Sequence, residues 1–255
     1  MDNLQRIEEL EQYYTRIAME RECGMRNILT RLENLRSELD MSEERNVFGD
    51  REFEHRIKTF DSAYEKLFRK GFDVSEKGLD ELHDIAGIRI IVPYRDDVYK
   101  VVAMIKKPTS LLKDMLKSEA ALKVVEEKDY IKEPKANGYR AYHLLTKMKV
   151  YFSDGKARWV PVEIQVMTKA MELWASYEHE LKYKNPNPSP DCQKRFKEIA
   201  DQLVAFEDNL MNFRDYNEEE AICNEDNMKH AEAVDIEEMA ILTAVCEKAV
   251  TDVTE

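Results

Sequence analysis

Glycine is scarce in this chain, at 7 of 255 residues, and no GxGxxG, GxxxxGKS or GxxxxGKT run occurs. A glycine-rich phosphate loop is therefore excluded, and any bound phosphates must be held by side chains. The four cysteines, Cys23, Cys192, Cys223 and Cys246, are far apart and form no CxxC pair. That spacing fits free thiols in a reducing compartment rather than a disulfide framework or a zinc site. The histidines form no HExxH pattern, so the metal chemistry left open is a hard cation held by carboxylates. No apolar run approaches the ~20 residues that span a bilayer. The opening MDNLQRIEELEQ is polar and acidic, unlike a secretory signal. A cytoplasmic protein with no membrane partner is the expectation.

What the chain has is apolar content and negative charge. At 43% hydrophobic residues it can bury a core, and its formal net charge is −13. That charge argues against general nucleic-acid binding but leaves room for a local basic pocket.

Residues 2–40 read as one long helix, with Met25, Ile28, Leu32, Leu35 and Leu39 forming an apolar stripe. Asp50 is placed to cap a second helix over 51–70, which Gly71 would end. Ile88, Ile90 and Val92 alternate ahead of Pro93, a strand, followed by a helix over 96–106, a helical piece over 108–121 and a strand over 123–128. Residues 142–152 and 158–166 flank Ser153-Asp154-Gly155-Lys156 and read as a hairpin. In its second strand Val160, Val162, Ile164 and Val166 share one face, and Pro161, Glu163 and Gln165 the other. Helices follow over 168–184 and 191–214, separated by the proline-rich break at 185–190. An acidic stretch over 217–225 leads to a last helix over 231–250. Phe196, Ile199, Leu203, Phe206, Leu210 and Phe213 form a seam of the helix-pairing kind. The fold class expected is mixed α/β with a partly antiparallel central sheet flanked by helices. Residues 1–50 would be an N-terminal helical extension, 51–184 the central unit, and 185–255 a C-terminal helical region with an acidic segment.

Five segments carry candidate chemistry, each with a plainer reading beside it. On a helix over 51–70, Lys58, Ser62 and Lys66 fall at i, i+4 and i+8 with Arg56 upstream, either a polyphosphate cradle or a solvated basic face. Asp84 precedes an apolar strand with Gly87 between them, either a magnesium ligand at the sheet edge or a turn residue. The loop 129–143 gathers Tyr139, Lys135, Arg140 and His143, either a base-stacking and phosphate-binding loop or ordinary basic surface. Glu163 and Gln165 line a cleft as base or metal ligand, or face solvent. Trp174 and Glu178 sit one helical turn apart, in chemistry or in packing.

Taken together and in order, RIKTFDSAYEKL (56–67), LHDIAGIRIIV (82–92), KDYIKEPKANGYRAYHLL (128–145) and VEIQVMTKAMELWASYEH (162–179) resemble the synthetase domain of RelA/SpoT-type alarmone synthetases. The resemblance covers about 51–184 and implies a nucleotidyltransferase-like synthetase fold. It also implies a small stand-alone enzyme, without the hydrolase and ribosome-sensing domains of the long ones. The implied reaction is magnesium-dependent transfer of the ATP β,γ-pyrophosphate to the ribose 3′-hydroxyl of GDP or GTP, giving guanosine tetra- or pentaphosphate and AMP. By the same resemblance Arg56 and Arg89 sandwich adenine, and Lys58, Ser62 and Lys66 hold the ATP phosphates. Asp84 and Glu163 bind Mg²⁺, and Glu163 activates the hydroxyl. Tyr139 stacks on guanine, while Lys135, His143 and Gln165 fix the acceptor. Homo-oligomers, including tetramers, are implied as well.

Two positions depart from the family pattern. Met167 stands where an arginine is usual, and Ala141 where a serine is. Strand alternation puts position 167 on the Glu163/Gln165 face, so a changed acceptor is the alternative: tRNA 3′ ends or adenine nucleotides. A degenerate nucleotide-sensing module is the non-enzymatic one.

Overall fold

The computed structural model describes residues 3–41, 45–49, 51–107, 121–185 and 188–251. The expected cap at Asp50 lies outside them, as does the helical piece expected over 108–121 except for its last residue, which is a bend. The chain divides into two units, residues 1–204 and 205–255.

The first unit is built on a five-stranded sheet in the order β1-β2-β5-β4-β3, with β1 Glu54–Ile57, β2 Ala86–Val92, β3 Leu122–Asp129, β4 Tyr142–Tyr151 and β5 Ala157–Thr168. Only β2 and β5 run parallel, and the other three pairings are antiparallel. This is the mixed α/β class expected.

One face of the sheet is apolar and covered. Val160, Val162, Ile164 and Val166 of β5 and Ile88, Ile90 and Val92 of β2 are buried there. They pack under α1 (Asn3–Asp40), through Met25, Ile28 and Leu32, and under α4 (Arg95–Lys106), through Val98, Val101, Val102 and Ile105. The α1 stripe is therefore core. Gly24 lets α1 cross β5 closely, since a Cβ there would lie 2.3 Å from Val160 Cγ2. The same helix ties down two loops of the opposite face. The Tyr14 hydroxyl donates to the Lys58 carbonyl, and Arg21 donates to the Leu82 carbonyl at 2.6 Å.

The expected helix over 51–70 is corrected. Residues 54–57 are the edge strand β1, and α2 spans only Phe60–Lys70. Thr59 is its N-cap, accepting from Ser62 N, and Gly71 closes it with φ +68°. Glu54-His55-Arg56-Ile57 has too few apolar positions to announce a strand, and its partner β2 is thirty residues away in sequence. A short helix, α3 (Glu76–Asp80), precedes β2. After β5 come α5 (Lys169–Lys184), capped by Thr168, and α6 (Pro190–Thr251). The helices expected over 191–214 and 231–250 are thus one, with the acidic stretch inside it.

In the second unit, which is the continuing α6 helix, Phe206, Leu210 and Phe213 are exposed.

Candidate active site

The face of the sheet opposite the Val160–Val166 row carries the site, and strand register writes it in two adjacent rows. Across the strands, Arg56 of β1 stands opposite Gly87 of β2, Gly87 opposite Glu163 of β5, and Glu163 opposite Leu145 of β4. In the next row Glu54 faces Arg89, Arg89 faces Gln165, Gln165 faces His143, and His143 faces Lys128 of β3. Successive strand residues alternate faces, so both rows present their side chains to the same side. Gly87 contributes none, and a Cβ there would meet nothing within 4 Å. Space is therefore kept open between Arg56 and Glu163.

A cleft of about 870 Å³ lies over these rows. That is at the upper end of the usual ~300–1,000 Å³ for ligand pockets. Of the residues expected in the site, Arg56, Lys66, Asp84, Arg89, Glu163, Lys135, Tyr139, His143 and Gln165 all line it, with Glu163 and Gln165 on the middle strand β5. Lys58 reaches it through Asp84. Ser62 does not: it is exposed on the first turn of α2, bonded to Thr59. Because Arg56 and Lys58 precede α2, the row of Lys58, Ser62 and Lys66 along one helix face is not formed. Lys58 instead meets Lys66 across the strand-to-helix corner.

Both ammonium groups converge on one oxygen, Asp84 Oδ2, with Lys58 Nζ at 2.6 Å and Lys66 Nζ also in contact. Asp84 Oδ1 is buried with no hydrogen-bond partner. Burial by itself would raise the Asp84 pKa, but the hydrogen bonds from Lys58 and Lys66 outweigh it and hold the carboxyl down at about 2. Lys58 moves down too, for a different reason, since its burial exceeds the effect of its bonded carboxylate.

Glu163 is held from the other side. His143 Nδ1 lies 3.1 Å from its Oε1, and Gln165 Nε2 donates to Oε2 at 2.8 Å. Burial raises its pKa, but the His143 and Gln165 hydrogen bonds prevail, and the carboxyl sits below its ordinary value. The Tyr139 hydroxyl meets His143 Nε2 at 2.8 Å. Lys135 Nζ rests over the rings of Tyr130 and Tyr139, 4.5 and 4.4 Å from their centroids.

The loop between β3 and β4 that carries Tyr139 is pinned by residues with no chemical signature of their own. Asn137 Nδ2 donates to Glu178 of α5 at 2.9 Å. Gly138, at φ +89°, packs against α6, where a Cβ would lie 2.6 Å from Ala200 Cβ. Trp174 packs edge-on against both Tyr139 and Phe196. The Trp174–Glu178 spacing thus serves packing at Trp174 and loop anchoring at Glu178. Lys70, His83, Lys128 and Tyr130 also line the cleft and were not singled out from sequence. Lys128 and Tyr130 lie within the quoted motif 128–145, but nothing in their spacing marks them.

Met167 is corrected. It lies on the sheet face that alternation gives it, yet it is fully buried and absent from the cleft wall. It packs with Ile91, Ala141 and Met171, beneath Tyr139. The end of α5 that begins at Thr168 roofs this part of the sheet, which alternation alone does not reveal.

Among the described residues no group of three or more His, Cys, Asp or Glu is placed to hold a metal, and no helix is long and apolar enough to cross a membrane. Comparison with known proteins agrees with the geometry. A profile described as "Region found in RelA / SpoT proteins" matches residues 55–188. The chain is 39% identical over 168 residues to GTP pyrophosphokinase YwaC of Bacillus subtilis, covering 64% of this chain and 71% of that one. It is 36% identical over 152 residues to GTP pyrophosphokinase YjbM of the same organism, covering 58% and 65%. Its structure is similar to the crystal structure of small alarmone synthetase 1 from Bacillus subtilis bound to its product pppGpp, with a TM-score of 0.67 at 26% identity, covering 82% of this chain and 99% of that one.

Proposed function

The chain belongs to the family of RelA and SpoT proteins, and from that membership we propose that it is a GTP pyrophosphokinase making guanosine alarmones from ATP and GDP or GTP. One observation carries the reading. Glu163 stands centrally in a single cleft, with the cations Arg56, Lys58, Lys66 and Arg89 toward one side and Tyr139, Lys135 and His143 toward the other. Two nucleotides can then meet at a carboxylate, as in-line transfer requires.

In this reading Arg56 and Arg89 offer flat guanidinium planes to adenine. Lys58 and Lys66 exchange Asp84 for the ATP phosphates, while Ser62, exposed on the first turn of α2, stands outside the cleft lining and is left without a part in holding them. The Tyr139 ring stacks on guanine, and Lys135, His143 and Gln165 fix the acceptor. Glu163 takes the proton of the 3′-hydroxyl. A bond forms from O3′ to the β-phosphorus, the α-phosphate oxygen leaves with AMP, and the pyrophosphoryl group ends on the ribose.

A magnesium ion fits the residues present. Asp84 Oδ1 is an orphaned buried oxygen, and Glu163 supplies a second carboxylate to the same cleft. Mg²⁺ takes few protein oxygens beside phosphates and waters, so a two-carboxylate set suffices. Bound there, it would neutralise charge developing on the transferred phosphoryl groups.

Guanine nucleotides remain the acceptor of choice, because Met167, the departure that favoured another acceptor, does not reach the cleft. The exposed Phe206, Leu210 and Phe213 support self-association, which light scattering at two concentrations tests. The reaction would belong to the cytosol, where its nucleotides are.

The test is incubation with ATP, Mg²⁺ and either GDP or GTP, followed by anion-exchange separation, with Glu163→Gln as control. AMP forming in step with a more highly phosphorylated guanosine, and only with the unmodified protein, is the expected result. ATP left intact with both acceptors would overturn the reading.

A further inference from the structure

Lys58 and Asp84, which meet at the donor end of the cleft, sit on loops whose backbone is held by α1. Lys58 N donates to the Ile85 carbonyl at 2.8 Å, and the Lys58 carbonyl accepts from the Tyr14 hydroxyl. Both backbone polar groups of Lys58 are therefore engaged. Two helical turns along α1, Arg21 donates to the Leu82 carbonyl at 2.6 Å and reaches the Leu79 carbonyl at 3.5 Å. Those carbonyls lead from α3 into Asp84. Tyr14 is only 5% exposed and Arg21 only 3%. Burying a guanidinium is costly, yet among the described residues Arg21 hydrogen-bonds carbonyls and no carboxylate. Neither residue lines the cleft, and both lie outside residues 55–188, where the family profile matches. Before ATP binds, the 2.6 Å bond to Asp84 helps hold the Lys58 side chain. Once phosphates displace that carboxylate, the backbone bonds are what keep the two residues at their spacing.

We propose that Tyr14 and Arg21 are positioning residues: from α1 they brace the backbone of Lys58 and of the Asp84 loop, so that the Lys58 ammonium stays aimed at the ATP phosphates after these have displaced it from Asp84. The inference rests on the reading of Lys58 and Asp84 as the donor-phosphate end of the site. It adds two residues that touch neither nucleotide and act through main-chain carbonyls.

Tyr14→Phe keeps the ring, its contact with Phe60 at 5.5 Å between centroids and its place in the cluster with Leu67 and Leu79, and removes only the hydroxyl. It is expected to raise KM for ATP roughly tenfold, the scale of one buried hydrogen bond lost, with KM for GDP changed less than about twofold. Arg21→Met should act in the same direction, and Arg21→Lys, which keeps a donor, should recover part of the loss. Arg16→Gln, exposed on the same helix, should leave both constants unchanged. Calorimetric titration with inorganic tripolyphosphate, without metal or turnover, gives an independent readout. Its affinity should fall by a similar factor in Tyr14→Phe, while the affinity for GDP holds within about twofold. Three results would overturn the proposal: no binding of tripolyphosphate to the unmodified protein, unchanged affinity in Tyr14→Phe and Arg21→Met, or equal losses for tripolyphosphate and GDP alongside a lowered Tm. The last would mean that the two residues only hold the fold. Were the unmodified protein to make no phosphorylated guanosine, the functional reading would fail while the tripolyphosphate titration still decided the brace.

Discussion

Glu54 stands directly opposite Arg89 across the β1–β2 ladder, and its carboxylate lies 3.5 Å from the Arg89 guanidinium. The same carboxylate accepts from Arg51 at 3.2 Å, and Arg51 in turn reaches Glu172 of α5 at 2.6 Å. A chain of four charges therefore ties the edge strand to the helix behind the acceptor loop, with Arg89 at its inner end. Arg89 Nε is buried without a partner, so the Glu54 contact falls on the guanidinium fork rather than on its stem.

Glu54→Gln is expected to raise KM for ATP about two- to fivefold while leaving kcat and KM for GDP within about twofold. The pair is partly exposed, which limits it to roughly 1 kcal/mol. Steady-state kinetics with each substrate varied in turn checks this, and a change confined to GDP would place Arg89 on the wrong side of the cleft.

Asp84 should make acid stability depend on pH in a defined window. Its folded pKa is lowered from 3.8 to about 2. A depressed carboxyl stabilises the fold above its unfolded value and loses that contribution as pH falls through the folded one, here between about pH 4 and 2. The shift corresponds to about 2 kcal/mol. Asp84→Asn leaves the Lys58 and Lys66 ammoniums facing each other. It should be less stable than the unmodified protein at pH 6 by about that amount and converge with it near pH 2. Denaturation at a series of pH values measures the closing gap. Inorganic tripolyphosphate should restore part of the loss at pH 6, because the two cations then regain an anion.

Gly138 meets Ala200 so closely that neither can grow. Gly138→Ala places a side chain at φ +89° and a Cβ 2.6 Å from Ala200 Cβ. A positive φ costs a non-glycine residue about 1–2 kcal/mol, and the overlap must be relieved by moving the loop that carries Tyr139. KM for GDP is expected to rise roughly tenfold, with KM for ATP nearly unchanged. In the double variant Gly138→Ala/Ala200→Gly the overlap is gone and only the backbone term remains, so part of the loss should return. No recovery would show that α6 does not buttress the loop.

Much of this was legible along the chain because it is periodic or local. The alternation of Val160, Val162, Ile164 and Val166 announced β5 and placed Glu163 and Gln165 on the open face. The Met25–Leu32 stripe announced α1, and Asp154-Gly155 announced the β4–β5 turn. Strand β1 was not legible, because Glu54-His55-Arg56-Ile57 is short, mostly polar and half exposed, and only pairing with β2 makes it a strand. Reading it as helix also put Lys58, Ser62 and Lys66 in one row. Which residues share a row across the sheet depends on register between distant segments, so the Arg56–Gly87–Glu163 alignment could not be read from spacing. Ala200 matters only through its closeness to Gly138, which leaves no motif.

Met167 gives the sharpest separation between what alternation says and what burial says. Alternation puts it on the face of Glu163 and Gln165, where an arginine could reach a nucleotide. Burial puts it beneath Tyr139, at 0% exposure, among Ile91, Ala141 and Met171. The two departures from the family pattern, Met167 and Ala141, thus share one apolar cluster, and a cation added to it alone has no carboxylate among those neighbours. Met167→Arg should therefore cost about 3–5 kcal/mol, the scale of an uncompensated buried charge. For a unit of this size that lowers Tm by about 10 °C. Met167→Leu, which conserves volume and polarity, should cost less than about 1.5 kcal/mol and leave kcat and both KM values near those of the unmodified protein. Calorimetry and kinetics on the same preparations decide the matter. A stable, folded Met167→Arg protein with a tighter or different acceptor would mean that residue 167 reaches the cleft after all, and that the cluster beneath Tyr139 opens when the acceptor binds.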